Sequence, residues 1–295
     1  MPESRLETGH ASGAALGAGS AHADVAVILA AHEAVLPTVR LAAADLSDAI
    51  DLIVATMSTG GHLLYVGAGT SGWLGALDAA EVVVSFGMAG RVDSVVGGGR
   101  TLDPASMTLG DDAVDALRED EALAACGTGD AVVAVSASGS TPFTVAAVEQ
   151  LRAQGARVIA VVSDEGTPLS TLADVVICIP TAGEVVAGST RLTAGLAQKI
   201  VLNTLSTGAM VRLGRAFNGQ MVCLEPLNEK LRQRVVRAVA LAAGVAGSDA
   251  ASALEGAGRG DVAVVSLLTG CDATEARRRL DGTFGSIPAA INART

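Results

Sequence analysis

Three short segments hold most of the residues that could do chemistry. Gly67-Ala68-Gly69-Thr70-Ser71-Gly72 follows the apolar run His62–Val66, and Ser136-Ala137-Ser138-Gly139-Ser140-Thr141-Pro142 closes the run Ala131–Ser136. The third is Gly183-Glu184-Val185-Val186-Ala187-Gly188-Ser189-Thr190-Arg191. A strand-to-helix junction dense in glycine and hydroxyl side chains offers free N–H groups, O–H donors and the positive end of a helix dipole. That combination suits an anion, and phosphate above all. Pro142 supports a helix start, because its missing N–H has no intrahelical partner there anyway. One serine suffices for a helix cap; a run of hydroxyls favours a phosphate site. Neither of the first two loops carries Lys or Arg, so the expected cradle is built from backbone and hydroxyls and lacks the lysine of a P-loop. Glu184 has two readings: a carboxylate acting on a sugar, or a cap or ion-pair partner, with Arg191 nearby.

Gly67–Gly72 also fits the GxGxxG pattern of dinucleotide sites. Asp93 stands 21 residues past Gly72, near the spacing of a ribose-binding carboxylate, but inside a strand and not at its carboxyl end. A purely structural tight turn is the third reading of this loop.

Positioning these loops requires βα units. Short apolar runs predict strands at His62–Val66, Arg91–Val96, Ala131–Ser136, Arg157–Val162 and Val175–Ile179. Helical spacing predicts helices at Ser71–Val84, Asp111–Ala124, Pro142–Gln154 and Pro168–Leu172, then a long one over Arg191–Leu213. Strands alternating with helices imply an α/β three-layer sandwich, a parallel sheet covered on both faces. Ligands of such sheets bind beyond the carboxyl ends of the strands, so the first two loops are expected to share one phosphate. Residues 24–57 read as helical. After Arg215 the composition shifts to a more charged helix at Asn228–Ala246, with short helices at Ala250–Gly256, Asp261–Leu268 and Asp272–Leu280; Ser248 and Asp272 are expected N-caps. The expected organisation is a flexible leader (1–23), an α/β domain (24–225) and a helical C-terminal subdomain (226–295).

Composition narrows the partners. The chain has 295 residues, half of them hydrophobic but only 2% aromatic, and a net charge of −11. A duplex-binding protein needs a basic stripe and a single-strand binder needs stacking aromatics, so nucleic acid is not an expected partner. Stretches without charge, such as Ile53–Leu77, are broken by Gly, Ser and Thr, and no membrane span is expected. Cys126, Cys178, Cys223 and Cys271 form no CxxC, which suits reduced thiols in a cytoplasmic protein; with four scattered His, no metal site is expected.

GAGTSG, SASGSTP and GEVVAGSTR, in this order, resemble the sugar isomerase (SIS) family of phosphosugar-binding domains. LLYVGAGTSGWLGALDAAE, AGLAQKIVLNTLSTGAMVRLG and LNEKLRQR narrow the likeness to the N-acetylmuramic acid 6-phosphate etherases and the related glucokinase regulatory proteins. It runs from about Leu29 to Arg234, more weakly beyond, and Glu3-Ser4-Arg5 echoes the family's N-terminal pattern. The resemblance implies a five-stranded parallel sheet of SIS, flavodoxin-like type, and a homodimer whose active sites take residues from both protomers. It also implies a lyase reaction on a phosphorylated amino sugar with no cofactor: elimination of D-lactate from N-acetylmuramic acid 6-phosphate, then addition of water, leaving N-acetylglucosamine 6-phosphate. Carried over by motif, the acid falls on Glu81, whose apolar neighbours suggest burial and a raised pKa. The base falls on Asp111, with Asp112 beside it; both also suit a helix N-terminus. Phosphate contacts fall on Gly69, Thr70, Ser71, Ser136, Ser138, Gly139, Ser140 and Thr141, and other substrate contacts on Glu184, Ser189 and Thr190. Where the family usually has arginine this chain has His62, Trp73 and Ser140, and Thr193 replaces its lysine, so fewer cations flank the loops. Alternatives on the same fold are a phosphosugar-binding regulator and an aldose–ketose isomerase with Glu184 as base.

Overall fold

A computed structural model describes residues 9–181, 183–225 and 228–293. Helices α1 (Ala21–Glu33), α2 (Val35–Leu41) and α3 (Ala43–Ser58) lead into β1 (Leu63–Gly67), α4 (Gly69–Phe86) and β2 (Val92–Val96). Then come α5 (Pro104–Leu109), α6 (Glu121–Ala125), β3 (Ala131–Val135), α7 (Pro142–Ala153), β4 (Arg157–Val162), α8 (Pro168–Leu172) and β5 (Val175–Cys178). The helices α9 (Thr193–Arg212), α10 (Glu229–Ala243), α11 (Gly247–Ala257), α12 (Gly260–Thr269), α13 (Ala273–Asp281) and α14 (Ile287–Asn292) complete the chain.

The chain forms two compact units. The first takes in the chain up to Ile53, then His62–Ala79 and Asp93–Leu205. Its five-stranded parallel sheet has the order β2-β1-β3-β4-β5. Gly67 lies opposite Val135, and Ala134 opposite Ala160. Every residue of β1 and β3 is buried, which is why these strands are unbroken apolar runs without alternation. The core is mostly aliphatic: Leu64, Val66, Val132, Leu151 and Val158 share one buried cluster with Phe143. Tyr65 is fully buried and donates its hydroxyl to Asp78 Oδ2 at 2.8 Å; burial, with the Asp78 charge, drives its pKa well above the usual phenol value.

The second unit comprises Val54–Gly61, Ala80–Val92 and the chain from Ser206 onward. Val222, Val235, Val239, Leu254, Val262 and Leu280 lie in its core. Arg215 is buried and donates to the carbonyls of Phe86, Gly87 and Gly285, holding the 80–92 segment to the C-terminal helices. The division of the chain therefore falls within α3, α4 and α9. Among the described residues, no single helix is long and apolar enough to cross a membrane.

Two sequence expectations need correction. The single helix expected over Asp111–Ala124 is replaced by two 3-10 turns (110–112 and 114–119) and the short α6, after an α5 that has already ended at Leu109. Asp103 and Ser106 form a capping box around Pro104, which starts a helix early. Gly97 and Gly110 then meet so closely that a Cβ on either would strike the other's backbone, pinning the chain where a helix would otherwise continue. Ser248 is not a cap: α11 begins one residue earlier, with Ala246 at its N-cap. Asp272 does cap α13, accepting from Glu275 N. Of the leader, Gly9 pairs with Glu184 and Ala11–Ala15 form a 3-10 turn; Glu3-Ser4-Arg5 lies outside the described residues.

Candidate functional site

The chain leaves β1 toward β2 on one side and returns to β3 on the other, so the direction of winding reverses between β1 and β3. In open parallel sheets this switch point opens a crevice at the carboxyl ends of the strands. Gly67 and Val135, paired across that gap about 4.8 Å apart, are the last residues before the two hydroxyl-rich loops.

The β1–α4 loop folds as it does because of its glycines. Gly69 has φ +53°, and a Cβ on Gly72 would come within 2.5 Å of Gly67 O. The turn thereby brings Thr70 and Ser71, both half-buried, to the start of α4. Ser71 Oγ accepts from Gln198 Nε2 at 3.0 Å, which leaves its own hydroxyl hydrogen to donate elsewhere.

The β3–α7 loop is organised the same way. Buried Ser136 accepts from Gly139 N at 3.1 Å and shares a 2.9 Å bond with Thr141 Oγ1. Ser138 Oγ accepts from Ser140 N and Ser140 Oγ at 3.3 and 3.1 Å, again leaving its hydrogen free. Gly139 adopts φ +63° against Thr167, where any Cβ would collide. Thr141 sits at the N-cap of α7 yet makes no capping bond through its side chain. Ser136 and Ser138 instead tie down backbone N–H groups within the loop itself.

Both loops meet the first turn of α9. Ala137 packs on Ala194, and a Cβ on Gly195 would lie 3.8 Å from Thr70 Cγ2. Gln198, almost fully buried, was not singled out from the sequence; a lone amide in the apolar run AGLAQKIVL was its signal. Glu184 is corrected here. It is wholly buried and accepts from Thr193 N (2.9 Å), Thr193 Oγ1 (2.7 Å) and Ala194 N (3.0 Å). Its carboxylate caps the start of α9 and, among the described residues, makes no ion pair with Arg191. The isomerase alternative, with Glu184 as base, loses its main residue. Ser189 and Thr190 are half-buried in the preceding loop, where Thr190 O accepts from Gly195 N at 2.8 Å.

Among the carboxylates, Asp111 falls in the 3-10 turn after α5, with Oδ1 3.8 Å from where a Cβ on Gly69 would stand. It is thus brought beside the β1–α4 loop. Desolvation, and then the Asp112 charge, raise its pKa. Glu81 belongs to the second unit and is exposed, so the expected burial is not found in the single chain. Helix geometry explains this: sequence neighbours project to different faces, and it is Val82 that turns inward. Asp93 is exposed on β2, with its side chain on Ser94 N and 3.7 Å from Arg100, and does not serve a dinucleotide site at the strand ends.

Comparison with known proteins gives a consistent picture. A family model described as SIS domain matches residues 112–208. An N-acetylmuramic acid 6-phosphate etherase of Rubrobacter xylanophilus is 44% identical over 269 residues, covering 90% of this chain and 88% of that one. One of Symbiobacterium thermophilum is 46% identical, covering 75% and 74%. One of Streptomyces coelicolor is 39% identical, covering 92% and 88%.

Proposed function

This chain belongs to the N-acetylmuramic acid 6-phosphate etherase family, and from that premise we propose how its residues divide the work of the reaction. The reaction is that of a carbon–oxygen lyase: the D-lactyl ether of N-acetylmuramic acid 6-phosphate is cleaved to N-acetylglucosamine 6-phosphate and D-lactate, by elimination and then hydration. In the open-chain sugar the aldehyde acidifies the C2 proton. A base removes it, the C3–O bond breaks, and the lactate oxygen takes a proton from an acid. Water then adds across the unsaturated aldehyde, restoring hydrogen at C2 and placing a hydroxyl at C3.

The phosphate is held by Gly69, Thr70 and Ser71 together with Ser136, Ser138, Gly139, Ser140 and Thr141. The observation that carries this assignment is that Ser71 and Ser138 each use their oxygen as an acceptor inside the fold. Their hydrogens remain available to an anion, and no cation is required. Asp111 is the base. Partial desolvation brings its pKa upward, toward the range in which a carboxylate transfers protons most effectively. Glu81 is the acid; it is exposed in the single chain, and in the working enzyme a second protomer covers it. On this reading the working enzyme is a cytoplasmic homodimer with shared active sites. Glu184 sets the start of α9, and through it Gln198 and Ser71, while Ser189 and Thr190 line the approach to the sugar.

Incubation with N-acetylmuramic acid 6-phosphate, with D-lactate as readout, tests this division. Glu81→Gln should abolish release while hexose 6-phosphate binding persists; retained release removes Glu81 from the mechanism.

A further inference from the structure

Beside the β1–α4 loop lies an open groove of about 410 Å³, lined by Thr70, Trp73, Leu74, Ala76, Leu77, Leu102 and Met107. Positions 70, 73, 74 and 77 follow the helical spacing that places residues on one face. The groove therefore starts at the proposed phosphate loop and runs along α4, with Trp73 and Leu77 about 4.5 and 10.5 Å beyond Thr70 at roughly 1.5 Å per residue. Across it stand Leu102 and Met107, and the Met107 carbonyl lies 3.6 Å from the position of a Cβ on Gly69. Leu77, Leu102 and Met107 are 47%, 65% and 36% exposed, so the groove is open to a ligand and hydrocarbon is what it offers. No charged residue lines it.

We propose that this groove is the subsite for the N-acyl group of the phosphosugar. The proposal rests on the assignment of phosphate to the adjoining loop. Chemistry selects between the two substituents of that sugar. The lactyl group carries a carboxylate, whose desolvation against Trp, Leu and Met without a cation is costly. The acyl group is neutral and ends in hydrocarbon. A cavity of this volume exceeds a methyl group, so longer acyl chains are accommodated.

The test measures affinity of the full-length protein for glucose 6-phosphate and for glucosamine 6-phosphate bearing N-acetyl, N-propionyl or N-butyryl groups, by calorimetry and by emission of the sole tryptophan. The expected result is a gain of about fourfold in affinity per added methylene, with a change in Trp73 emission that grows along the series and is absent with glucose 6-phosphate. Trp73→Ala, and independently the surface change Leu102→Ser, should flatten the chain-length dependence and leave glucose 6-phosphate affinity unchanged. If glucose 6-phosphate binds but acyl length changes neither affinity nor emission, the subsite assignment is overturned and the phosphate loop stands. If no hexose 6-phosphate binds, both are overturned. If the two variants alter only self-association, the groove is a protein contact and the acyl assignment is wrong.

Discussion

Replacing Glu184 by Ala should produce one of the largest single-residue losses of stability in this molecule. The carboxylate is wholly buried and receives two backbone N–H groups and the Thr193 hydroxyl at 2.7–3.0 Å. The hydroxyl can rotate to another acceptor; the N–H groups of Thr193 and Ala194 cannot. Each orphaned buried donor costs about 1–3 kcal/mol, and loss of a helix cap alone costs about 1–2 kcal/mol, so Glu184→Ala should cost roughly 3–5 kcal/mol. For a chain of this size that lowers the thermal midpoint by about 6–20 °C. Glu184→Gln keeps one acceptor oxygen and should lose roughly half as much. Differential scanning calorimetry gives the midpoints, and D-lactate release below them separates a structural role from a catalytic one. Glu184→Gln should release lactate within about threefold of the parent, whereas loss of a general base costs about 100- to 10,000-fold. A Glu184→Ala midpoint within 2 °C of the parent, or a Glu184→Gln enzyme that folds but is inert, would refute the capping role.

Ser71→Ala removes one phosphate donor and frees the Gln198 amide; hexose 6-phosphate affinity should fall about 10-fold, read by calorimetry. Gly139→Ala forces a side chain into a left-handed turn against Thr167 and should destabilise by more than about 1 kcal/mol, seen as a lower denaturation midpoint. Asp111→Asn should cut lactate release by about 100-fold or more. Its stability effect has a definite sign. The folded pKa of Asp111 is raised, first by desolvation and then by Asp112, so the charged group opposes folding above that pKa and the penalty fades as pH falls to the unfolded value near 4. Asp111→Asn should thus be slightly more stable than the parent at pH 7 and equal to it near pH 3 in urea titrations. Tyr65→Phe removes a hydrogen bond to a buried carboxylate and should cost about 1–3 kcal/mol by the same titrations.

The sheet was legible because its strands are buried on both faces. β4 was read to the residue, and β1, β2, β3 and β5 to within a residue at either end, since an apolar run bounded by charge or glycine has little choice of conformation. The hydroxyl loops were legible for the same reason: glycine at 69 and 139 marks a backbone no other residue adopts easily. The 104–125 segment was opaque because its course depends on a backbone contact between Gly97 and Gly110, distant in sequence. Glu184 could be read either way until Thr193 and Ala194 were seen to close on it; spacing alone does not say which way a carboxylate faces. Glu81 looked buried because Ala and Val flank it, yet in a helix flanking residues are not lateral neighbours. Gln198 reaches Ser71 across 127 positions, a pairing that no local pattern announces.

The joint grip of two loops on one phosphate is tested most directly by amide chemical shifts of the labelled protein during titration with N-acetylglucosamine 6-phosphate. Resonances of Gly69–Ser71 and of Ser138–Thr141 should move together, with one shared dissociation constant. Movement confined to a single loop, or two unrelated constants, would contradict it.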